Sequence, residues 1–325
     1  MDLSVSIKSA KRNLLIVFLA IAASVIVFST AHAQSPTQWE ELEGDVSLFI
    51  GNDLGRNGYY DQKPIAELMG KMAETIGPEA VLALGDVHHF GGVKSVNDPL
   101  WMTNYELIYS HPELMIPWHC TLGNHEYRGN TSAVLDYSGV SRRWVMPSRY
   151  YSRSFSHKGT SVRVVFIDTT PLISKYRTDS ITYPDACRQD AEKQLQWIDS
   201  TLTAANEQWV IVVGHHPIYA QTPKADSERT DLQQRLLPIL HKHPNVAVYA
   251  CGHIHNFQHI THEGDNIDYV VNSAGSLARK VQATDGTRFC SPLPGFSVIA
   301  ADKTTLKWHF IDKDGNVIYT FTKRR

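Results

Sequence analysis

The sequence predicts an α/β fold, mixed β-sheets covered by helices, and three observations carry that prediction. Apolar, β-branched runs alternate with helical patterns through the first two thirds of the 325 residues. Strand-like runs alone then close the chain, an order that suits mixed sheets with helical cover. Five of the runs end in a short string with Asp, Asn or His close behind a glycine: GNDLG, GDVHH, GNHE, GHHP and GHIH. In such sheets the working groups sit in loops at the carboxyl ends of strands, so five strand ends can converge on one edge.

The elements follow in order. Lys8, Lys11 and Arg12 precede an apolar run over 14–28 and then Ala31-His32-Ala33, a small-x-small pattern before Gln34. This predicts a secretory signal peptide over 1–33, a domain over 34–325 and a secreted or periplasmic protein. The alternative is a retained anchor, because the run is near the lower length for a membrane span. Apolar runs at 46–50, 80–84, 116–122, 162–167, 209–213, 246–251, 269–271, 296–300 and 306–311 read as strands. Segments 65–76, 190–205 and 231–241 carry apolar residues at helical spacing. No repeat, low-complexity tract or long linker interrupts 34–325, which reads as one domain.

Charge narrows the partners. The chain is at −2 with histidine neutral; segment 1–33 is at +2, which leaves −4 for the rest. With no Lys/Arg run there is no electrostatic footprint for nucleic acid or an anionic membrane. A monomer with no stable membrane anchor after signal cleavage is the expectation. Cys120 and Cys251 lie inside strand-like runs and read as buried thiols. Cys187 and Cys290 lie in polar stretches, where an exported chain could pair them, and the sequence leaves that open.

The residue types at the strand ends suit two metal ions held about 3.5–4 Å apart by a bridging carboxylate and private ligands. Asp86 is the candidate bridge, since Gly85 lets the backbone turn and both carboxylate oxygens can bind. Asp53, His89, Asn124, His215, His253 and His255 are the candidate ligands beside it. His253 and His255 are two apart after a strand, so extended geometry would aim both to one side. Asp in a turn and His in a core are the plainer readings of any one of these. His88 and His216 adjoin ligand positions and read as pocket wall or as coordinating groups.

These motifs resemble those of the calcineurin-like metallophosphoesterases and, within them, the small purple acid phosphatases, the tartrate-resistant acid phosphatase group. The likeness runs from about residue 48 to 317 and includes connecting segments, with Arg142-Arg143-Trp144, Pro147 and Leu195-Gln196-Trp197-Ile198. It implies a four-layer α/β/β/α sandwich of two mixed sheets with a dinuclear site at one edge. By position it implies Asp53, Asp86, His89 and His255 around one metal and Asp86, Asn124, His215 and His253 around the other. Asn124, His125 and His216 are the candidate substrate contacts, with His125 protonating the leaving group.

Two positions depart from that family. His89 stands where the family has the tyrosine that binds ferric iron and gives the purple colour, which removes one negative charge and favours two divalent ions, Fe, Zn or Mn. The family's further histidine after Gly-His-x-Pro has no clear match in Gln221-Thr222-Pro223-Lys224, where Lys224 reads as an exposed lysine with contact to phosphate as the alternative. The expected activity is hydrolysis of phosphomonoesters by a metal-bound hydroxide. A phosphodiesterase or nucleotide pyrophosphatase on the same site is the alternative, and a silent metal- or phosphate-binding relative would be expected to have lost ligands.

Overall fold

A run such as the one over Val46–Gly51 has no polar face to give to water, so the strand it forms must be covered on both sides. The computed structural model describes residues 37–224, 226–272 and 275–325, and the expected signal peptide lies outside the described residues. Among the described residues fourteen strands form two seven-stranded mixed sheets. The first contains β1 (Val46–Gly51), β2 (Ala80–Leu84), β3 (Trp118–Thr121) and β4 (Trp144–Val145) in parallel, with β12 (Gly295–Ala301), β13 (Thr305–Asp312) and β14 (Val317–Arg324) antiparallel beyond β1. The second has β6 (Thr160–Phe166), β7 (Trp209–Val213), β8 (Val246–Cys251) and β10 (Asp268–Asn272) in parallel. It is flanked by β5 (Tyr151–His157) at one edge and by β9 (Phe257–Ile260) and β11 (Thr287–Ser291) at the other.

The sheets pack face to face. Phe257 on β9 stacks on Phe310 of β13 with ring centroids 4.9 Å apart, and the Trp209 indole on β7 donates to the Asp302 carbonyl beyond β12 at 2.7 Å. Helix α1 (Gln62–Ile76) buries Ile65, Met69, Met72 and Ile76 on one stripe, and Gly77 closes it in the left-handed conformation at φ 58°. Helix α2 (Ala191–Thr203) starts at Asp190, whose side chain accepts the Lys193 N–H, and buries Leu195, Ile198 and Leu202. The α/β class and the two mixed sheets expected from the sequence are thus observed, and Cys120, Cys187, Cys251 and Cys290 are all free thiols. Among the described residues no helix is long and apolar enough to cross a membrane.

The parallel strands decide where chemistry can gather. β1, β2 and β3 in one sheet and β7 and β8 in the other all run out at the same edge, and each is followed within three residues by a candidate ligand. Segment 231–241, expected as one helix, is two: α3 (Ser227–Arg235) begins earlier, and Pro238, with no N–H to donate, starts a separate turn over Leu237–His241.

Candidate active site

Asp53, Asp86, His89, Asn124, His215, His253 and His255 are all nearly fully buried, 5% exposed or less. Burying that much polarity costs several kcal/mol per unpartnered group, so their contacts are informative. Asp53, His89 and His255 form one group and His215, His216 and His253 another, with ligand atoms inside each within 4.8 Å of one another. Asp86 lies between them: its Oδ2 is 3.1 Å from His215 Nε2, 3.5 Å from His89 Nε2 and 3.8 Å from His125 Nε2. Among the described residues, Asp53 Oδ1, both His89 ring nitrogens, Asn124 Oδ1 and His215 Nε2 are buried without a hydrogen-bond partner. Close, convergent donor atoms, several of them without a well-formed hydrogen bond, are what a cation site looks like, and the mix of carboxylate, amide and imidazole suits divalent zinc, iron or manganese.

The local backbone is bent to achieve this. Asp53, Asp86, His253 and His255 have positive φ, 51°, 54°, 74° and 64°, a region that side chains other than glycine seldom adopt. Such conformations persist where the surroundings over-determine them and cluster at functional sites. Gly85, at φ 86°, lets the chain pass so near His215 that a Cβ there would lie 2.6 Å from its Nδ1. The extended geometry expected of His253 and His255 is therefore not what converges them. β8 ends at Cys251, and two left-handed residues send His255 to the Asp53 group and His253 to the His215 group.

Electrostatics follow from the crowding. Burial would raise Asp86, yet His215 first and then His125 and His89 hold its carboxyl well below the ordinary range. Asp53 is likewise held low against burial by His255. For His215, burial favours the neutral ring but Asp86 and Asp53 outweigh it and push it up to about 9. Burial brings His89 down to about 3 and His253 down to about 4.

Residues 46–257 match the family described as calcineurin-like phosphoesterase. The chain belongs to that family. It is also homologous to purple acid phosphatases. Purple acid phosphatase 3 of Arabidopsis thaliana is 30% identical over 324 residues, which covers 96% of this chain and 85% of the relative. Tartrate-resistant acid phosphatase type 5 of Sus scrofa is 34% identical over 217 residues, 65% of this chain and 63% of the relative. Two solved structures share the architecture. GAP50, the anchor in the inner membrane complex of Plasmodium, is 24% identical with a TM-score of 0.74, covering 86% of this chain and 88% of that one. A dimetal phosphatase from Danio rerio is 14% identical with a TM-score of 0.59, covering 87% and 99%. At those identities the likeness concerns the fold alone.

The calcineurin-like site in this chain rests on residues that residue-type reasoning passed over. The Glu126 carboxylate accepts the N–H groups of Asp86, His88 and Gly123 at 2.8, 3.0 and 2.7 Å. His215 Nδ1 faces the Leu84 carbonyl at 2.9 Å, which points Nε2 at Asp86. His253 Nε2 lies 2.9 Å from Glu228 Oε2 and 2.8 Å from Lys224 Nζ, which leaves Nδ1 as the nitrogen it could offer a metal. Lys224 is accordingly half-buried against the candidate ligands, a correction to its reading as an exposed lysine. His125 is only partly covered; its Nδ1 lies 2.6 Å from the Phe90 carbonyl, which turns Nε2 inward. His216 has both ring nitrogens engaged, with Thr169 at 2.9 Å and Tyr176 at 3.1 Å, and no exposure. That geometry makes it a wall behind His253 and leaves it no donor for a phosphate. His88 packs on Trp101 with centroids 4.4 Å apart, facing away from His89.

Proposed function

We propose that this chain is an exported, monomeric dinuclear-metal phosphatase that hydrolyses small phosphomonoesters. The observation that carries the reading is two clusters of buried candidate ligands with Asp86 between them, in which Asp53 Oδ1, the His89 ring nitrogens, Asn124 Oδ1 and His215 Nε2 make no hydrogen bond of good geometry. In that reading Asp53, His89 and His255 hold one ion, Asn124, His215 and His253 hold the other, and Asp86 is shared. The ions, when bound, neutralise phosphoryl charge and bring the acidity of a coordinated water towards neutral pH.

The chain's own groups do the rest. Asn124, with its Oδ1 unbonded, and Lys224, with Nζ 2.8 Å from His253 Nε2, are the groups proposed to meet the phosphoryl oxygens. His125, with Nδ1 committed to the Phe90 carbonyl, presents Nε2 to the departing ester oxygen and delivers the proton the alkoxide needs. Burial lowers His125 while the neighbouring Asp86 raises it, so a bound phosphate dianion, a further negative charge, favours its protonated form.

Steady-state turnover of a monoester and of a bis-ester by protein of known metal content tests the proposal, with Asp86→Asn as the comparison. Two equivalents of metal and preferred monoester turnover, both lost in Asp86→Asn, are the expected result. Preferred bis-ester turnover would reassign the site to diester hydrolysis. Metal binding without turnover of either would reduce the protein to a binding scaffold. Export is part of the same proposal, and a mature chain beginning at Gln34 by mass spectrometry is its expected mark.

A further inference from the structure

We infer that the cleft beside His89 is a leaving-group subsite built for an aromatic ring, so that the preferred substrates are aryl or nucleoside phosphates. The inference rests on the phosphomonoesterase reading, because the side of the site on which the proton donor stands is the side on which the alcohol leaves. His125 stands at Phe90: its Nδ1 is held by the Phe90 carbonyl, and the two rings are 5.8 Å apart at 64°. Phe90 also meets His89 edge-on at 5.8 Å. A cleft of about 480 Å³ opens there, lined by Gly55, Arg56, Asn57, Tyr59, Tyr60, His89 and Phe90. That size falls in the range of small-molecule sites, roughly 300–1,000 Å³.

The lining is unusual for a surface. Tyr59, Tyr60 and Phe90 are 73%, 63% and 67% exposed, three large rings left in water around one opening. The Arg56 guanidinium sits 4.8 Å from the Phe90 centroid, is almost wholly buried, and has no carboxylate within ion-pair distance among the described residues. Its Nε is buried without a partner. Rings to stack on and a cation without a direct ion-pair partner suit a planar leaving group that carries hydrogen-bond acceptors.

The loop that presents these residues is held rigidly. Gln62 Oε1 accepts the N–H groups of Arg56 and Gly58 at 3.0 and 2.8 Å. Asn104 Oδ1 accepts that of Asn57 at 2.7 Å, and the Gln62 amide donates to the Asn104 carbonyl at 2.8 Å. Gln62 and Asn104 are fully buried, so two interior polar side chains are spent on the shape of one surface loop. Tyr60 is kept at φ 56°, a strained conformation for an aromatic residue, with its ring outside.

The test uses metal-loaded full-length mature protein, Phe90→Ala, and the double variant Tyr59→Ala/Tyr60→Asn, where asparagine tolerates the positive φ. For phenyl phosphate, a nucleoside 5′-monophosphate and glycerol phosphate, kcat/KM of the variant is divided by that of the unaltered protein, so intrinsic reactivity cancels. Stacking a base on an aromatic side chain is worth enough to predict about a tenfold greater loss on a ring-bearing substrate than on glycerol phosphate. A loss confined to phenyl phosphate, or to the nucleotide, identifies which source of the ring the cleft serves. An equal loss on all three, or none, overturns the subsite while leaving the phosphatase reading intact. If no monoester turns over, that reading fails, and calorimetry still tests the cleft: phenylphosphonate should bind at least several-fold tighter than methylphosphonate, and equal affinities would sink it.

Discussion

Glu126 Oε2 accepts the backbone N–H of Asp86 at 2.8 Å, and through that bond a fully buried carboxylate fixes the turn that carries the candidate bridge. It also takes the N–H groups of His88 and Gly123, so one side chain ties the loop after β2 to the loop after β3. Burial first, then the Asp86 charge, push its carboxyl up to about 7, against the pull of the Gly123 N–H.

Glu126→Gln keeps the shape but offers one oxygen where two are in use, and its amide NH2 would face a backbone donor. Loss of such an outer partner costs about 10–100-fold in metal affinity. Metal dissociation constants from a competitive chelator should rise by that factor in a protein that remains folded by circular dichroism. An unchanged affinity would show that the turn is set by its glycines alone.

His125→Ala should leave metal content intact and lower kcat by roughly 10²–10⁴, the usual worth of positioned proton transfer. The donor matters most when the leaving oxygen is basic, so the loss should be larger on phenyl phosphate than on nitrophenyl phosphate. An equal loss on both esters would make His125 a phosphate-binding group instead.

The proton on His215 competes with metal. Its pKa in the metal-free fold is about 9 against an ordinary 6.5, because Asp86 and Asp53 outweigh burial. A raised histidine stabilises the metal-free fold fully below about pH 6.5, and that contribution is lost as pH rises through about 9. A cation must displace this proton, whereas His89 and His253 are held low and carry none in that range. Metal affinity should therefore climb by close to tenfold per pH unit between about pH 7 and 9 and flatten above. Isothermal titration in buffers of different ionisation enthalpy counts the proton released. Pure competition without proton release would remove His215 from the ligand set.

Much of this was legible in the chain because residue type and place coincide: Asp53, Asp86, Asn124, His215 and His253 each follow an apolar run that could only be a covered strand. What escaped has physical reasons. β5 reads Tyr-Ser-Arg-Ser-Phe-Ser-His and buries only Tyr151 and Phe155, as an edge strand with little cover can. Glu228 sits in Ser227–Arg235 ahead of the apolar spacing that marks 231–241, and it meets His253 at 2.9 Å only across 25 residues of chain. The placement of His253 and His255 depends on two positive φ values that neither residue type announces. Glu126 had a faint signal, an acid inside a glycine-bounded strand-end motif.

His89 gives the sharpest spectroscopic test. It stands with Asp53 and Asp86, Nε2 at 4.0 and 3.5 Å from their oxygens, and the sequence resemblance puts it in the place of the tyrosine of the purple acid phosphatases. In that group the colour comes from charge transfer between tyrosinate and ferric iron, and a neutral imidazole has no equivalent donor. The iron-loaded native protein should therefore lack the broad visible band. His89→Tyr restores an anionic phenolate, raises the preference for a trivalent ion, and should develop that band when loaded with iron under air. The neighbouring His88 is wedged against Trp101 with its Nδ1 at 3.4 Å from Asn104, so a tyrosine there would face the core and give no band. Visible spectra at equal iron content decide between the two positions. A band in the native protein, or one from His88→Tyr and not from His89→Tyr, would overturn the place of His89 in the ligand set.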